Sequence, residues 1–285
     1  MAKKNTASTK NEIERFHSWL ATEDPLSIAT HMYVDADAAF SAALLSVLKP
    51  KAQVVFVSAD SVIDDGRTLG VDLSKGNRTI KGLNVGSAFG LLVLGMKTID
   101  PPIYRALRRW AAQLNLTDSG KGCRDSVVLA ELVKAWRSLG LGDKGCFKRA
   151  KELIQGKINS ERSNHRQKQR AKSVKIDKGV AVISDGTRIR AAHVFQQGAK
   201  ALIRESDVGH SIMFSRELLK KGIKLNDLAP VLEPKGWFVH PDGVLACYGS
   251  VKAPKNYRKS GFTIDEIVSL VTTFLIPHVQ LTTQG

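Results

Sequence analysis

Apolar residues recur at helical spacing from Asn11 to Leu20, at Ile13, Phe16, Trp19 and Leu20, which predicts a helix there. The chain then alternates short apolar runs with longer helical patterns. Leu26–Thr30 and Gln53–Val57 read as strands, and Thr68–Asp72 as a shorter extended segment. Between and after them, Ala38–Leu48, Ser87–Met96 and the amphipathic Ile103–Leu114 read as helices. Such alternation predicts an α/β fold whose N-terminal half is built on a parallel sheet. Ser126–Leu139 reads as a further helix closed by Gly140-Leu141-Gly142, and a helical pattern begins at Phe147 and runs toward Lys175.

A second, smaller α/β pattern follows. Gly179–Ser184, Ala201–Glu205, Ser211–Arg216 and Val244–Tyr248 read as strands. Helices are expected near Ala191–Gly198, Leu225–Leu232 and Thr263–Thr273. The expected organisation is a disordered, lysine-bearing tail over 1–10, an N-terminal domain over 11–155, a basic helical linker over 156–178 and a C-terminal domain over 179–285. The sequence has no internal repeat.

Charge sharpens this division. The 285-residue chain carries a formal net charge of +16, with 22 Lys/Arg against 16 Asp/Glu over residues 1–155 and 21 against 11 over 156–285. Eight basic residues lie between Lys157 and Lys178 against Glu161 and Asp177, which reads as an exposed connector. A surface of this kind favours a polyanionic partner, nucleic acid or an oligonucleotide, over a neutral ligand. Three widely spaced cysteines, Cys123, Cys146 and Cys247, argue against a disulfide framework or a structural zinc site and suit a reducing cytoplasm. No apolar run reaches the 18 residues of a membrane span, and the N-terminus lacks the apolar core of a signal peptide. A cytoplasmic location without membrane attachment is therefore expected. The oligomeric state is left open, a homodimer included.

The candidate chemistry lies where apolar segments end. His31-Met32-Tyr33-Val34-Asp35-Ala36-Asp37 closes the first strand run. With Asp35 and Asp37 two apart, an extended backbone turns both carboxylates to one side. Two further aspartates end apolar segments, Asp72 after Leu69-Gly70-Val71 and Asp118 in Leu114-Asn115-Leu116-Thr117-Asp118. Ligands of open α/β sheets bind beyond the carboxyl ends of the strands, and four carboxylates with one imidazole suit Mn²⁺ or Mg²⁺. Simpler roles compete. Asp72 and Asp118 each precede residues that fit a cap or turn, and Asp35 and Asp37 could pair with Lys or Arg.

The string His31-x-x-x-Asp35-x-Asp37-Ala38, followed by Ser41 and Ala42-Ala43-Leu44-Leu45, resembles the first motif of the DHH phosphoesterase superfamily, which includes RecJ-like and oligoribonuclease-like enzymes. Val34 stands where the motif has proline. Asp72 in Gly-Val-Asp-Leu-Ser resembles the second motif and Asp118 in Thr-Asp-Ser-Gly the fourth; Gly86–Leu91 resembles the helix after the third. The third motif itself, Asp-His-His, is absent: Asn77–Asn84 holds no histidine or acid. In a second register, Asp72-Leu73-Ser74 is the degenerate third motif and Asp60 the second. The resemblance implies a metal set of His31, Asp35, Asp37, Asp72 and Asp118, with Asp35, Asp37 and Asp118 catalytic, hydrolysing a phosphodiester in single-stranded nucleic acid or an oligonucleotide. It also implies an alternative, a nucleic-acid- or nucleotide-binding protein with impaired turnover. Asn84 or a side chain from elsewhere in the vacant position would favour the enzyme; Lys81 there, or nothing, would favour the alternative.

The C-terminal half resembles, more loosely, the substrate-binding domain that accompanies such enzymes. Ser215 and Arg216 close a strand there, and His240 lies in the Gly236–Gly243 loop. The resemblance makes them phosphate contacts, a role that also suits Arg216 and His240 chemically. Trp237 or Phe238 would stack on a base or belong to the core. Lys252, in the basic run Gly249–Lys259, would track a phosphodiester backbone.

Overall fold

The computed structural model describes residues 2–23, 26–123, 128–250 and 261–279. The chain divides into two compact units, Met1–Arg162 and Ser163–Gly285.

In the first unit α1 (Ala2–Ala21) precedes β1 (Ser27–His31), α2 (Ala36–Leu48), β2 (Gln53–Val57), β3 (Thr68–Val71) and β4 (Thr79–Ile80). Four helices follow: α3 (Ala88–Ile99), α4 (Pro101–Asp118), α5 (Leu129–Ser138) and α6 (Asp143–Ala171), the C-terminal part of α6 falling in the second unit. Helix α1 covers the residues whose composition suggested a disordered tail. Helix α6 covers the basic stretch 156–178 as far as Ala171. Ser126, the expected start of α5, lies outside the described residues.

The four strands form one parallel sheet in the order β2-β1-β3-β4. Register decides what meets at its carboxyl edge. Ala29 pairs with Gly70, so two residues further on His31 and Asp72 leave adjacent strands side by side. Helix α2 is apolar nearly all round and is buried from Ala36 to Ser46, as expected for a helix packed on several sides. Its Phe40 meets Phe89 of α3 at 6.0 Å, Trp110 of α4 at 5.9 Å and Trp136 of α5 at 6.4 Å between ring centroids. Burying that side chain contributes about 2–3 kcal/mol. Helices α3 and α4 come close at Gly90, where a Cβ would fall 1.9 Å from Asn115 Oδ1.

The second unit holds β5 (Ile176–Asp177), β6 (Val180–Ile183), α7 (Ala191–Phe195), β7 (Ala201–Ser206), β8 (Gly209–Phe214), α8 (Arg216–Lys220), α9 (Ala229–Leu232), β9 (Phe238–Val239), β10 (Leu245–Tyr248) and α10 (Ile264–Val279). Its mixed sheet runs β5-β6-β7-β8-β10-β9, parallel only between β6 and β7. One face, with Ala201, Ile203, Ile212 and Phe214, packs with residues of α8, α9 and α10. The other, with Ala181, Ile183 and Leu202, packs with Val194 of α7. The α/β class expected for both halves is the class observed. Strands β4, β5 and β9, two residues each, are too short to carry a period and escape the sequence pattern. No helix among the described residues is long and apolar enough to cross a membrane.

Candidate metal centre

His31 is the last residue of β1 and Asp72 the first beyond β3. Their parallel pairing sets His31 Nε2 3.2 Å from Asp72 Oδ2. The other ring nitrogen, Nδ1, lies 2.9 Å from the Met32 carbonyl oxygen, which can only accept, so Nδ1 carries a proton. In the neutral ring that leaves Nε2 as the unprotonated nitrogen facing the carboxylates, the usual orientation of a metal-binding imidazole. Asp72 has φ +53°, a left-handed conformation that aspartate tolerates, and its N–H donates to Ile80 O at 3.0 Å. Asp35 is the N-cap of α2, its Oδ1 accepting from Ala38 N at 3.0 Å and standing 4.0 Å from His31 Nε2. One ligand atom from each of His31, Asp35 and Asp72 lies within 4.8 Å of the other two. This donor set of one imidazole and two carboxylates fits a hard divalent ion such as Mn²⁺ or Mg²⁺.

Asp37 takes another course. Because α2 begins at Ala36, the backbone is helical rather than extended between Asp35 and Asp37, and their side chains diverge. Asp37 is 2% exposed. Its Oδ2 accepts from Ala88 N at 2.7 Å and its Oδ1 from Phe89 N at 2.8 Å, with the Ser41 hydroxyl at 3.4 Å. Ser87 Oγ takes the next donor, Gly90 N, at 2.9 Å. Asp37 therefore caps the start of α3, where the helix dipole favours a negative charge. Asp37 stands outside the group of three ligand atoms, though the Asp72 charge acts on it. Asp118 likewise ends a helix, α4, not a strand. Asp72 and Asp35 both act on it electrostatically, so it belongs to the same charged neighbourhood without meeting the three ligand atoms. The N-caps of α2 to α5 are Asp35, Ser87, Asp100 and Val128, not Asp72 or Asp118.

Lys81 gives its backbone N–H to Glu12 Oε1 at 2.7 Å and its Nζ to Ser74 O. Asn84 lines a cleft of about 500 Å³ with Asn11, Glu12 and Arg15 of α1.

The electrostatics match a cation site in its unneutralised form. Burial raises the Asp35 carboxyl, and the Asp72 charge adds to it. Burial and then Asp72 push Asp37 well above the carboxylate range. Asp118 is pushed up to about 6 by burial first, then by Asp72 and Asp35. His31 is pushed up to about 9, chiefly by its hydrogen bond to Asp72. Lysine and arginine are absent from these influences and from the ion pairs of Asp35 among the described residues. Both kinds of shift make the metal-free fold less stable as pH rises. His31's contribution is complete below about 6.5 and is lost through about 9; Asp118's ionisation between 3.8 and about 6 costs more in the folded chain than in the unfolded one. A bound divalent ion displaces those protons. The rise in Tm produced by Mn²⁺ should therefore be larger at about pH 8.5 than at about pH 5.5, as scanning calorimetry would show; a gain independent of pH would contradict the grouping.

Two residues that the sequence pattern did not single out hold the His31–Asp35 loop. Asp143, at the start of α6, accepts from Tyr33 N and Val34 N, each at 2.9 Å. Arg137 of α5 donates from Nη2 to Val34 O at 2.8 Å and to Asp143 Oδ1 at 2.7 Å, and its guanidinium lies 4.0 Å from the Tyr33 ring centroid. They are more than a hundred residues from the loop, and no local spacing betrays them. Arg137→Ala should weaken Mn²⁺ affinity about tenfold, the scale of losing an outer-shell partner. Calorimetric titration would measure it, and unchanged affinity would show that the clamp does not position the ligands.

In the second unit, β8 and β10 bring the expected phosphate contacts to one end of the sheet. Ser215 follows Phe214, whose N–H donates to Val244 O at 3.1 Å, while His240 N donates to Leu245 O at 2.8 Å. Ser215 is buried and caps α8 through Leu218 N; Arg216 beside it is exposed. His240 turns its Nδ1 to Asp242 within its own loop, accepting from Asp242 N at 3.2 Å. Trp237 is core, 4% exposed and near His210 and Tyr248, whereas Phe238 is 55% exposed. Lys252 lies outside the described residues.

No family model and no curated protein matches the chain. Solved structures that match it include RecJ from Thermus thermophilus in complex with Mg²⁺, at 12% identity and TM-score 0.29, over 85% of this chain and 50% of that one. An exopolyphosphatase-related protein from Bacteroides fragilis matches at 13% identity and TM-score 0.27, over 96% and 98% of the two chains. An exonuclease RecJ bound to manganese matches at 12% identity and TM-score 0.31, over 93% and 98%. The chain spans half the length of the Thermus RecJ chain.

Proposed function

We propose that this protein is a divergent DHH-type phosphoesterase that uses Mn²⁺ or Mg²⁺ to hydrolyse a phosphodiester in single-stranded nucleic acid or an oligonucleotide. The observation that carries this reading is the meeting of His31, Asp35 and Asp72 at the carboxyl edge of a parallel sheet, with ligand atoms within 4.8 Å and, among the described residues, no lysine or arginine in their ion pairs. A divalent ion held there supplies Lewis acidity, polarising a phosphoryl oxygen and acidifying water. His31 is oriented for the task by the Met32 carbonyl, and Asp35 and Asp72 supply negative charge. Asp118, with its carboxyl near 6, is suited to take up a proton close to neutral pH. Asp37 acts by fixing α3 against α2. In the second unit, Arg216 and His240 are the proposed phosphate contacts, with Ser215 setting the start of α8. The net charge of +16 favours a polyanionic substrate over a small neutral one.

The test is hydrolysis of labelled single-stranded DNA and RNA with Mn²⁺, Mg²⁺ or neither; no cleavage of either strand with any ion would overturn it. Binding should also weaken by about tenfold or more between about 50 and 200 mM salt, because each neutralised phosphate releases counterions; a flat salt response in a filter-binding assay would count against the polyanion. A second reading, a nucleic-acid-binding protein with impaired turnover, is favoured by the Lys81 Nζ being given to Ser74 O and by Asp37 being engaged at α3. It predicts tight binding with no metal-dependent cleavage.

A further inference from the structure

The second unit carries a cavity that the proposed chemistry does not use. Its volume is about 430 Å³, within the range of small-molecule sites. It lies over the turn between β7 and β8 and the end of β10. In register terms it sits on the row Ile183–Arg204–Ser211–Cys247. Ser215 is four residues further along β8's course, roughly 13 Å away at strand rise, so the cavity lies toward the other end of β8 from Arg216. Arg204 continues the face of Leu202, but where Leu202 packs with α7 residues, Arg204 faces the cavity.

Two side chains there have unmet hydrogen-bonding capacity. Arg204 gives one guanidinium nitrogen to Ile189 O, while its Nε is buried without a partner among the described residues. His210 sets Nε2 3.4 Å from Glu205 Oε1, and its Nδ1 is buried without a partner among the described residues. Buried polar atoms without hydrogen-bond partners are costly and uncommon in folded proteins. Glu205 and Asp207 also line the cavity, yet Glu205 is directed at His210, and burial alone acts on the Arg204 guanidinium, lowering its pKa with no carboxylate to offset it. Arg188, exposed on the loop after β6, adds a second guanidinium at the rim. The Thr187 and Ser206 hydroxyls line the same space, and Val208 and Leu245 give it an apolar wall.

We propose that this cavity binds a small phosphorylated organic ligand of about mononucleotide size, its phosphate held by Arg204, Arg188 and His210 and its remaining part packed on the apolar wall. A phosphate suits the site better than a carboxylate because it offers three oxygens to donors that arrive from β7, β8 and the loop after β6. The site is independent of the metal centre: none of its residues belongs to the first unit.

The test uses the full chain and calorimetric titration with AMP, ribose 5-phosphate, inorganic phosphate and adenosine. AMP and ribose 5-phosphate should bind, inorganic phosphate more weakly, and adenosine weakest of all. Arg204→Met should weaken AMP binding by about tenfold or more, the scale of a lost charge-assisted hydrogen bond. Arg188→Ala, at an exposed position, should weaken it measurably with the fold intact and keeps the test decisive should Arg204→Met fail to fold. Asp72→Asn should bind AMP as the parent does, which separates this site from the metal centre. Adenosine binding as well as AMP, unchanged binding in Arg188→Ala, or loss of AMP binding in Asp72→Asn would each overturn the proposal, as would a parent chain that binds none of the four.

Discussion

Asp72→Asn lowers metal-dependent phosphodiester hydrolysis by at least about a hundredfold, since removing even an outer-shell partner of a metal ligand costs roughly 10–100-fold. The substitution is close to isosteric and isolates charge from shape. Asn tolerates the φ of +53° at this position, and the backbone bond from residue 72 to Ile80 O at 3.0 Å is unaffected. An amide oxygen can still accept from His31. What disappears is the carboxylate 3.2 Å from His31 Nε2, the charge that also acts on Asp35, Asp37 and Asp118. Removing it should bring the His31 pKa down from about 9 toward its ordinary value, since the Asp72 hydrogen bond is the largest influence raising it. The imidazole signals of the parent and variant in an NMR titration would show this. Steady-state cleavage of a labelled oligonucleotide measures the first effect; parent-like turnover in Asp72→Asn would remove the cluster from the mechanism.

Asp37→Ala acts on stability instead. Its two oxygens receive Ala88 N and Phe89 N, the first donors of α3, and at 2% exposure water cannot replace them. Each buried N–H left unmet costs about 1–3 kcal/mol, so the variant should lose about 3 kcal/mol or more of unfolding free energy. Loss of the cap also releases α3 from α2, so metal affinity falls with the fold. Asp37→Asn retains one acceptor oxygen and should fall between parent and Ala. Chemical denaturation of the metal-free proteins gives the order; an Ala variant as stable as the parent would show that Asp37 is not the cap described.

The contrast between Asp72 and Asp37 shows where the sequence is readable. His31 and Asp72 lie where apolar runs give way to polar residues, a local signal that places them at strand ends, and parallel pairing of those strands then brings them together. Asp37 lies only two residues from Asp35, but its direction depends on α2 starting at Ala36 and on the start of α3, some fifty residues later. Asp143 and Arg137 hold the Tyr33–Val34 backbone from more than a hundred residues away, and Glu12 holds Lys81 N and Gly82 N from α1. Contacts of that separation leave no period in the chain. Asp118 was legible as the end of an apolar segment, and that segment is helical: α4 runs on past its last buried residue, Leu114, to Asp118. The basic charge of the second half was visible from composition, while the half-buried Arg204 within it depends on β7 pairing and was not.

The most direct test of the metal centre is calorimetric titration of Mn²⁺ into the full chain near neutral pH, repeated in two buffers of different ionisation enthalpy. Saturable binding with release of protons from His31 and Asp118 is expected, and loss of that binding in both Asp72→Asn and His31→Gln. A parent chain that takes up no Mn²⁺, or variants that bind it as the parent does, would contradict the assignment of His31, Asp35 and Asp72 as a metal site.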